Sequence, residues 1–489
     1  MTVAGLAVLL GVQTGATAAP APGSSGAGDL YYPDYGNGGY DVEHYDIGLR
    51  YYPDSDRLTG TTTILATATQ DLSTLNLDFV LSTRSVRVNN RPATYARQGD
   101  HELVITPERT VAKGTQLTIV VNYDDVPSSV VASGTTAWKR TPDGAVATGE
   151  PKSAWWWYPS NDHPTDKASF DVSVLMPDGL EAISNGSPTR WAQPEFSGWS
   201  RWSWRQEKPQ ATYLAFLALG DYDTYRDTSA DGSTIVTAYS RLLDPATAQA
   251  ARASVERTDE ILEWEAGMFG PYPFTSRGGV VVNLASGGLE NQTRPVYGTS
   301  SFSRGSRTSL VAHELSHQWF GDSVSVGQWK DIWLNEGFAY YTGWMWSEEQ
   351  GLGTAAEIAD YVYASYPADD PFWQALPGDP GAGELFHDTV YERGALTLHR
   401  LRELVGDDNF FAILRAWTAE HRYGNAVTAD FVALAERISG RELESFFQTW
   451  LYTPSRPDLG TSVTKAAPAQ PKSWPELVAV QKTAHQPVA

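Results

Sequence analysis

From about Asp41 to Tyr222 apolar and polar residues alternate in short runs. Leu75-Asn76-Leu77-Asp78-Phe79-Val80-Leu81 and Phe170-Asp171-Val172-Ser173-Val174 alternate cleanly, and Leu117–Tyr123 repeats the pattern in a more apolar form. A period of two places successive side chains on opposite faces, so these runs predict half-buried strands. Asn89-Asn90, Pro142-Asp143-Gly144 and Asp178-Gly179 punctuate them as turns. Many short strands with frequent turns predict an N-terminal all-β, sandwich-like domain over residues 41–222. Within it, Trp155-Trp156-Trp157 is expected to form a strand buried on both faces, in preference to an exposed stacking platform for sugars.

After Tyr222 the spacing becomes helical. Ala250 to Met268 carries Val255, Ile261, Leu262 and Trp264 among Glu and Arg, and stops at Gly270-Pro271. Val280-Val281-Val282-Asn283-Leu284 predicts a strand. Helices are then expected at Thr308 to Gly321, Ile332 to Glu349, Val390 to Val405, Asp408 to Glu420, Thr428 to Ile438 and Leu443 to Leu451. Residues 223–460 thus form a mainly α domain with a small sheet. Residues 20–40, rich in Gly, Pro, Ser and Tyr, are expected to be a linker, and residues 461–489 a disordered tail. Val3 to Val12 is apolar and is followed by Ala16-Thr17-Ala18-Ala19-Pro20, which fits a signal peptide over residues 1–19 and a secreted, extracellular protein. The basic start of such a signal is missing, since the first cation is Arg50.

Composition narrows the chemistry. The 489 residues suffice for two or three domains with real cores. There is no cysteine, so disulfides, thiol catalysis and Cys-ligated metals are excluded, and a metal site must use His, Asp or Glu. A net charge of −22 repels phosphate backbones and anionic lipid; neither nucleic acid nor a membrane span is expected, and a monomer is favoured. No window reaches the run of about 18 apolar residues that a membrane helix needs.

The segment Thr308-Ser309-Leu310-Val311-Ala312-His313-Glu314-Leu315-Ser316-His317-Gln318-Trp319-Phe320 contains His-Glu-x-x-His. One helical turn separates His313 from His317, so their imidazoles can converge on one ion, while Glu314 points to the adjacent side and can reach a water there. The apolar flanks imply a buried helix, where such a group of ionisable residues is costly unless it coordinates something. Glu336, in Trp333-Leu334-Asn335-Glu336-Gly337-Phe338-Ala339, is a third candidate ligand.

His313-Glu314-x-x-His317 followed, eighteen residues on, by Glu336 resembles the gluzincin zinc peptidases, and specifically the M1 family of zinc aminopeptidases. Gly287-Gly288-Leu289-Glu290-Asn291 resembles that family's Gly-x-Met-Glu-Asn segment, with Leu for Met. The likeness extends through Trp329–Ala339, through Val390-Tyr391-Glu392-Arg393-Gly394-Ala395, and to Tyr158-Pro159-Ser160-Asn161-Asp162-His163-Pro164-Thr165-Asp166-Lys167-Ala168. It covers roughly residues 40 to 455 and implies a thermolysin-like catalytic domain behind the β domain, in a short form without a large helical C-terminal domain.

The resemblance implies one Zn2+ per chain on His313, His317 and Glu336, with a ligand position left open for water, as in catalytic sites. Glu314 is then the base that moves the water's proton to the leaving amine. By the same resemblance Glu290 binds the free α-amino group, with Gly287, Gly288 and Asn291 lining the substrate site, and Tyr391 donates a hydrogen bond to the oxyanion. From the residues alone, Glu290 is an anonymous loop carboxylate and Tyr391 a core aromatic. Asn185-Gly186-Ser187 and Asn291-Gln292-Thr293 are formal glycosylation sequons. The remaining histidines, including His163, His387 and His399, lack ligand spacing and are not expected to bind metal. The leading expectation is a secreted aminopeptidase acting on peptides with a free N-terminus. The alternatives are a zinc endopeptidase on the same framework and a non-catalytic peptide- or carbohydrate-binding protein with an inherited zinc site.

Overall fold

The computed structural model describes residues 19–132, 134–459 and 468–483; the signal-peptide reading falls almost wholly outside them. The β domain is built on an eleven-stranded sheet. Its centre is the antiparallel pair Tyr40–Tyr52 and Arg57–Ala68, extended on one side by Gln116–Asp125 and on the other by Ala168–Pro177, which runs parallel to Tyr40–Tyr52. In Arg57–Ala68 every second residue, from Leu58 through Ile64 to Ala68, is buried. A second sheet of four short strands, Glu181–Ile183, Leu217–Gly220, Ala145–Ala147 and Trp138–Arg140, adds almost entirely buried apolar residues to one continuous core. The three tryptophans 155–157 are buried as expected, but they lie on and just after a 3-10 turn, Ala154–Trp156, and not on a strand. Trp155 packs its ring, tilted by 31°, against that of Trp156, 4.0 Å between centroids, which a strand's alternation would prevent.

The catalytic domain opens with a five-stranded sheet in the order Tyr222–Thr228, Thr234–Ser240, Ser276–Val281, Val296–Tyr297, Gly288–Leu289. The last of these is an edge. The helix expected over Ala250 to Met268 is broken into Pro245–Val255 and Thr258–Phe269. Gly270, with φ 96°, ends the second piece, where a side chain would be strained. Helices follow at Thr308–Ser316, Trp333–Glu349, Asp388–Val405, Asp407–Glu420, Thr428–Ser439 and Glu444–Tyr452. Ala355–Ser365 is a further helix, opened by a Thr354/Glu357 capping box.

Two terminal readings change. Residues 19–39 are a strap across both domains instead of a linker. Ala21–Pro22 pairs with Leu72 and Thr74 of the β domain, while Asp29, buried, accepts hydrogen bonds from the backbone N–H of Tyr31, Tyr32 and, at 2.8 Å, Trp329 of the catalytic domain. Residues 468–483 are not a disordered tail. They contain the helix Trp474–Thr483, whose Leu477 and Val480 are 1% exposed against the catalytic core. Its Glu476 accepts the Ser309 N–H at 3.0 Å, capping the helix that carries His313. The segment is too short and too polar overall for its period to stand out. Burial against helices distant in sequence supplies the ordering energy.

Candidate active site

The helix Thr308–Ser316 is buried over nearly its whole length, and His313, Glu314 and His317 are at most 1% exposed. It was expected to run to Gly321 but ends at Ser316. His317 caps it with φ −58° and ψ −23°, so the one-turn spacing survives and the two rings meet edge to face, 4.9 Å between centroids. Glu336 enters from the first turn of Trp333–Glu349. The two histidine Nε2 atoms are 3.3 Å apart, and Glu336 Oε2 lies 3.4 Å and 3.5 Å from them. Ligands about 2.1 Å from a tetrahedral zinc ion are separated by about 3.4 Å, so this donor triangle fits zinc and leaves a fourth vertex open. His317 Nδ1 lies 3.0 Å from the Phe320 carbonyl oxygen and donates to it, which fixes Nε2 as the metal-facing nitrogen. Burial works against a charged imidazole at His317, yet Glu336, Glu290 and Glu314 hold its pKa well above the usual value. That carboxylate excess is what a divalent cation neutralises.

Glu290 follows the edge strand Gly288–Leu289, which pairs with Val296–Tyr297. Its charge raises the pKa of both His317 and Tyr391, so it stands at the metal site. The loop is held from two sides. Gln318, next to the ligand His317, donates to the Glu290 carbonyl at 3.1 Å and accepts the Thr293 N–H at 2.7 Å. From the β domain, Asn185 donates to the Gln292 carbonyl at 2.8 Å. Asn291, expected to line the substrate site, turns its amide into the domain interface and donates to Leu214 O at 3.1 Å. It positions the loop. Asn185 and Asn291 are 4% and 3% exposed, with both amides engaged, so neither sequon is open to a glycan in the folded chain. Gly288 approaches the base closely: a Cβ there would come within 2.2 Å of Glu314 Oε1.

Tyr391 lies in the first turn of Asp388–Val405, its ring 6.3 Å from that of His313. Burial first, and then the carboxylates of Glu336, Glu150, Glu290 and Glu314, raise its pKa well above 10, so it remains a neutral hydroxyl donor. Its helix reaches the Glu336 helix because Gly394 packs directly on Gly337. A Cβ on Gly394 would meet Gly337 Cα at 3.0 Å.

Three participants escaped the sequence reading. Gln318 is invisible because its role depends on a loop brought in from far along the chain. Glu150 is a lone loop carboxylate, but its charge reaches Tyr213, Asp322 and Tyr391. Lys167, inside the quoted β-domain segment, is buried and donates to the carbonyls of Asp322 and Ser323 at 3.0 and 3.1 Å, just past the metal helix; burial pushes its pKa down to about 7. Beside Leu289 and Glu150 opens a cavity of about 530 Å³, walled by Tyr32, Tyr35, Trp155 and Phe386.

A β domain joined to a helical domain that carries a His-Glu-x-x-His/Glu centre defines a two-domain metallopeptidase. Residues 41–214 match the Peptidase M1 N-terminal domain and residues 254–450 the Peptidase family M1 domain. The chain belongs to peptidase family M1. It is similar to the M1 zinc metallopeptidase from Deinococcus radiodurans, at 27% identity and a TM-score of 0.79, over 90% of this chain and 100% of that one. Glutamyl aminopeptidase of Rattus norvegicus is 24% identical over 491 residues, covering 88% of this chain and 50% of that protein. Aminopeptidase M1 of Arabidopsis thaliana is 28% identical over 330 residues, covering 63% and 36%. The chain therefore spans about half the length of the curated relatives it matches, or less, while matching the bacterial two-domain structure end to end.

Proposed function

We propose that the protein is a secreted zinc aminopeptidase that removes N-terminal residues from peptides. The observation that carries this reading is the pairing of a zinc-shaped donor triangle, with Glu314 on the same helix, and a buried carboxylate, Glu290, at the end of an edge strand. When bound, zinc supplies a Lewis acid that polarises the scissile carbonyl and acidifies water. Glu314 accepts a proton from the attacking water and passes it to the departing amine nitrogen. Tyr391 donates its hydroxyl proton in a hydrogen bond to the carbonyl oxygen as that atom gains charge. Glu290 holds the substrate's ammonium group and so sets the cut after one residue. The backbone of Gly287 and Gly288 receives the peptide as an added strand. The first side chain enters the cavity beside Leu289, whose aromatic walls and about 530 Å³ suit a large side chain. Solved structures of M1 zinc metallopeptidases include complexes with L-arginine, L-tryptophan and a Tyr-Ser-Ala substrate. Export is supported by the apolar run Val3 to Val12 and the small residues ending at Ala19.

The test is one peptide offered with a free and with an acetylated N-terminus, before and after chelation and zinc return. Cleavage of the free form alone, lost on chelation and regained with zinc, is expected. Equal rates on both peptides would assign the framework to an endopeptidase, and full activity after thorough chelation would remove zinc from the reaction.

A further inference from the structure

A second group of potential ligands lies in the β domain, on the pair of strands Leu72–Asp78 and Glu102–Thr106. Asp78 and Glu102 are register partners there, and His101 precedes Glu102. One ligand atom from each of the three lies within 4.8 Å of the others. The residues are 0%, 5% and 9% exposed for Asp78, Glu102 and His101.

Two observations point to a missing partner. Asp78 Oδ2 accepts from Asn37 Nδ2 at 3.0 Å and the Asp162 N–H at 2.8 Å, and the Gly36 N–H also faces the carboxylate, whereas Asp78 Oδ1 and Glu102 Oε1 are buried with no donor in hydrogen-bond geometry. Buried carboxylate oxygens left in this state are costly. His101 Nε2, meanwhile, faces two acceptors at once, the Asp34 carbonyl oxygen at 2.9 Å and Asp78 Oδ1 at 3.4 Å. A single N–H serves one of them. An ion shared among the nitrogen and the oxygens serves all. Among the described residues no Lys or Arg is ion-paired with Asp78 or Glu102; the recorded ion pair is between Asp78 and His101.

We propose that Asp78, His101 and Glu102, with the Asp34 carbonyl, form a second divalent-cation site in the β domain, separate from His313/His317/Glu336. One imidazole with hard oxygen donors suits a mid-sized ion of the Mn2+ or Zn2+ class better than Ca2+, which takes oxygen ligands almost exclusively. Donor separations of 2.9 and 3.4 Å are those of ligands about 2.1 Å from a common octahedral or tetrahedral centre. The site also supports the cavity. His101 packs against Tyr35, at 4.3 Å, and Trp155, at 5.2 Å, both of them cavity-wall residues. Fixing His101 fixes that wall.

The test uses the full chain loaded with one equivalent of zinc and titrated with Mn2+, with total metal counted by mass spectrometry and free Mn2+ by its electron-spin signal. One Mn2+ is expected to bind in addition to the retained zinc, and to raise the melting temperature. Asp78→Asn and Glu102→Gln keep shape and remove charge. In each, the extra Mn2+ and the melting shift are expected to vanish while zinc content stays at one. No extra Mn2+ on the zinc-loaded wild type overturns the proposal without reference to either variant. So does extra Mn2+ that persists in both variants, which places the ion elsewhere. Variants that melt higher than the metal-free wild type and take up no Mn2+, beside a wild type that also takes up none, would assign the two carboxyls to a shared proton.

Discussion

Replacing Gly394 by Ala tests whether the site depends on the close crossing of the Glu336 and Tyr391 helices. Two effects of opposite sign compete. In a helix interior Ala is favoured over Gly by about 1 kcal/mol. Against this, the new Cβ would stand 3.0 Å from Gly337 Cα, 3.7 Å from Gly337 N and 3.9 Å from Trp333 Cβ. The first two are backbone atoms of a buried helix and cannot rotate away. Relief to an ordinary contact requires the helices to part by about half an ångström, and such overpacking costs about 1–3 kcal/mol. The net expectation is a destabilisation of up to about 2 kcal/mol. Parting the helices moves Tyr391, one turn before Gly394, away from His313 and Glu336, so kcat should fall by about tenfold or more. Gly267→Ala is the control: it lies in the helix Thr258–Phe269, and its Cβ would meet nothing within 4 Å. It should stabilise by the propensity term alone, about 1 kcal/mol. Urea unfolding of the zinc-loaded proteins and steady-state kinetics on a free-amine dipeptide read both effects. If Gly394→Ala is as stable as Gly267→Ala and turns over like the wild type, the contact does not position Tyr391.

Glu314→Gln should lower kcat by several orders of magnitude with zinc content unchanged, since the carboxylate moves a proton and is not a ligand; near-normal turnover would remove it as the base. Gln318→Leu should raise KM for free-amine peptides more than it lowers the melting temperature, because it frees the Glu290 loop; an unchanged ratio between free and acetylated peptides would count against that. Burial pushes the Asp166 carboxyl up to about 8 from 3.8, so the folded chain keeps a proton that the unfolded chain releases. Its contribution to stability is full below pH 3.8 and is lost as pH rises through about 8. Asp166→Asn should therefore flatten the melting curve between pH 5 and 8, and parallel wild-type and variant profiles would contradict the assignment. Glu476→Ala should leave Ser309 N–H without its acceptor and cost about 1 kcal/mol, read by urea unfolding; no loss would show that the C-terminal helix does not cap the metal helix.

The sequence by itself determined whatever is local or periodic. Strict alternation in Arg57–Ala68 and the helical spacing of Asp388–Val405 report which face is buried, and the one-turn spacing of His313 and His317 sets two ligands on one face whatever surrounds them. The absence of cysteine left imidazole and carboxylate as the only strong metal ligands. Tertiary structure decided what depends on partners distant along the chain. Glu336 meets the histidines through the packing of its helix on Thr308–Ser316, Tyr391 is brought beside them through the Gly337–Gly394 crossing, and Glu290 is aimed by Gln318 and by amides of the other domain. Terminal segments that lack a period of their own, the strap at residues 19–39 and the helix Trp474–Thr483, are ordered by surfaces they borrow from the rest of the fold. Asp78, His101 and Glu102 show the same limit, because two strands had to pair before their donors could face each other. Local propensity is a property of a few neighbouring residues. Burial and coordination are properties of groups that folding brings together, and no short window of sequence contains them.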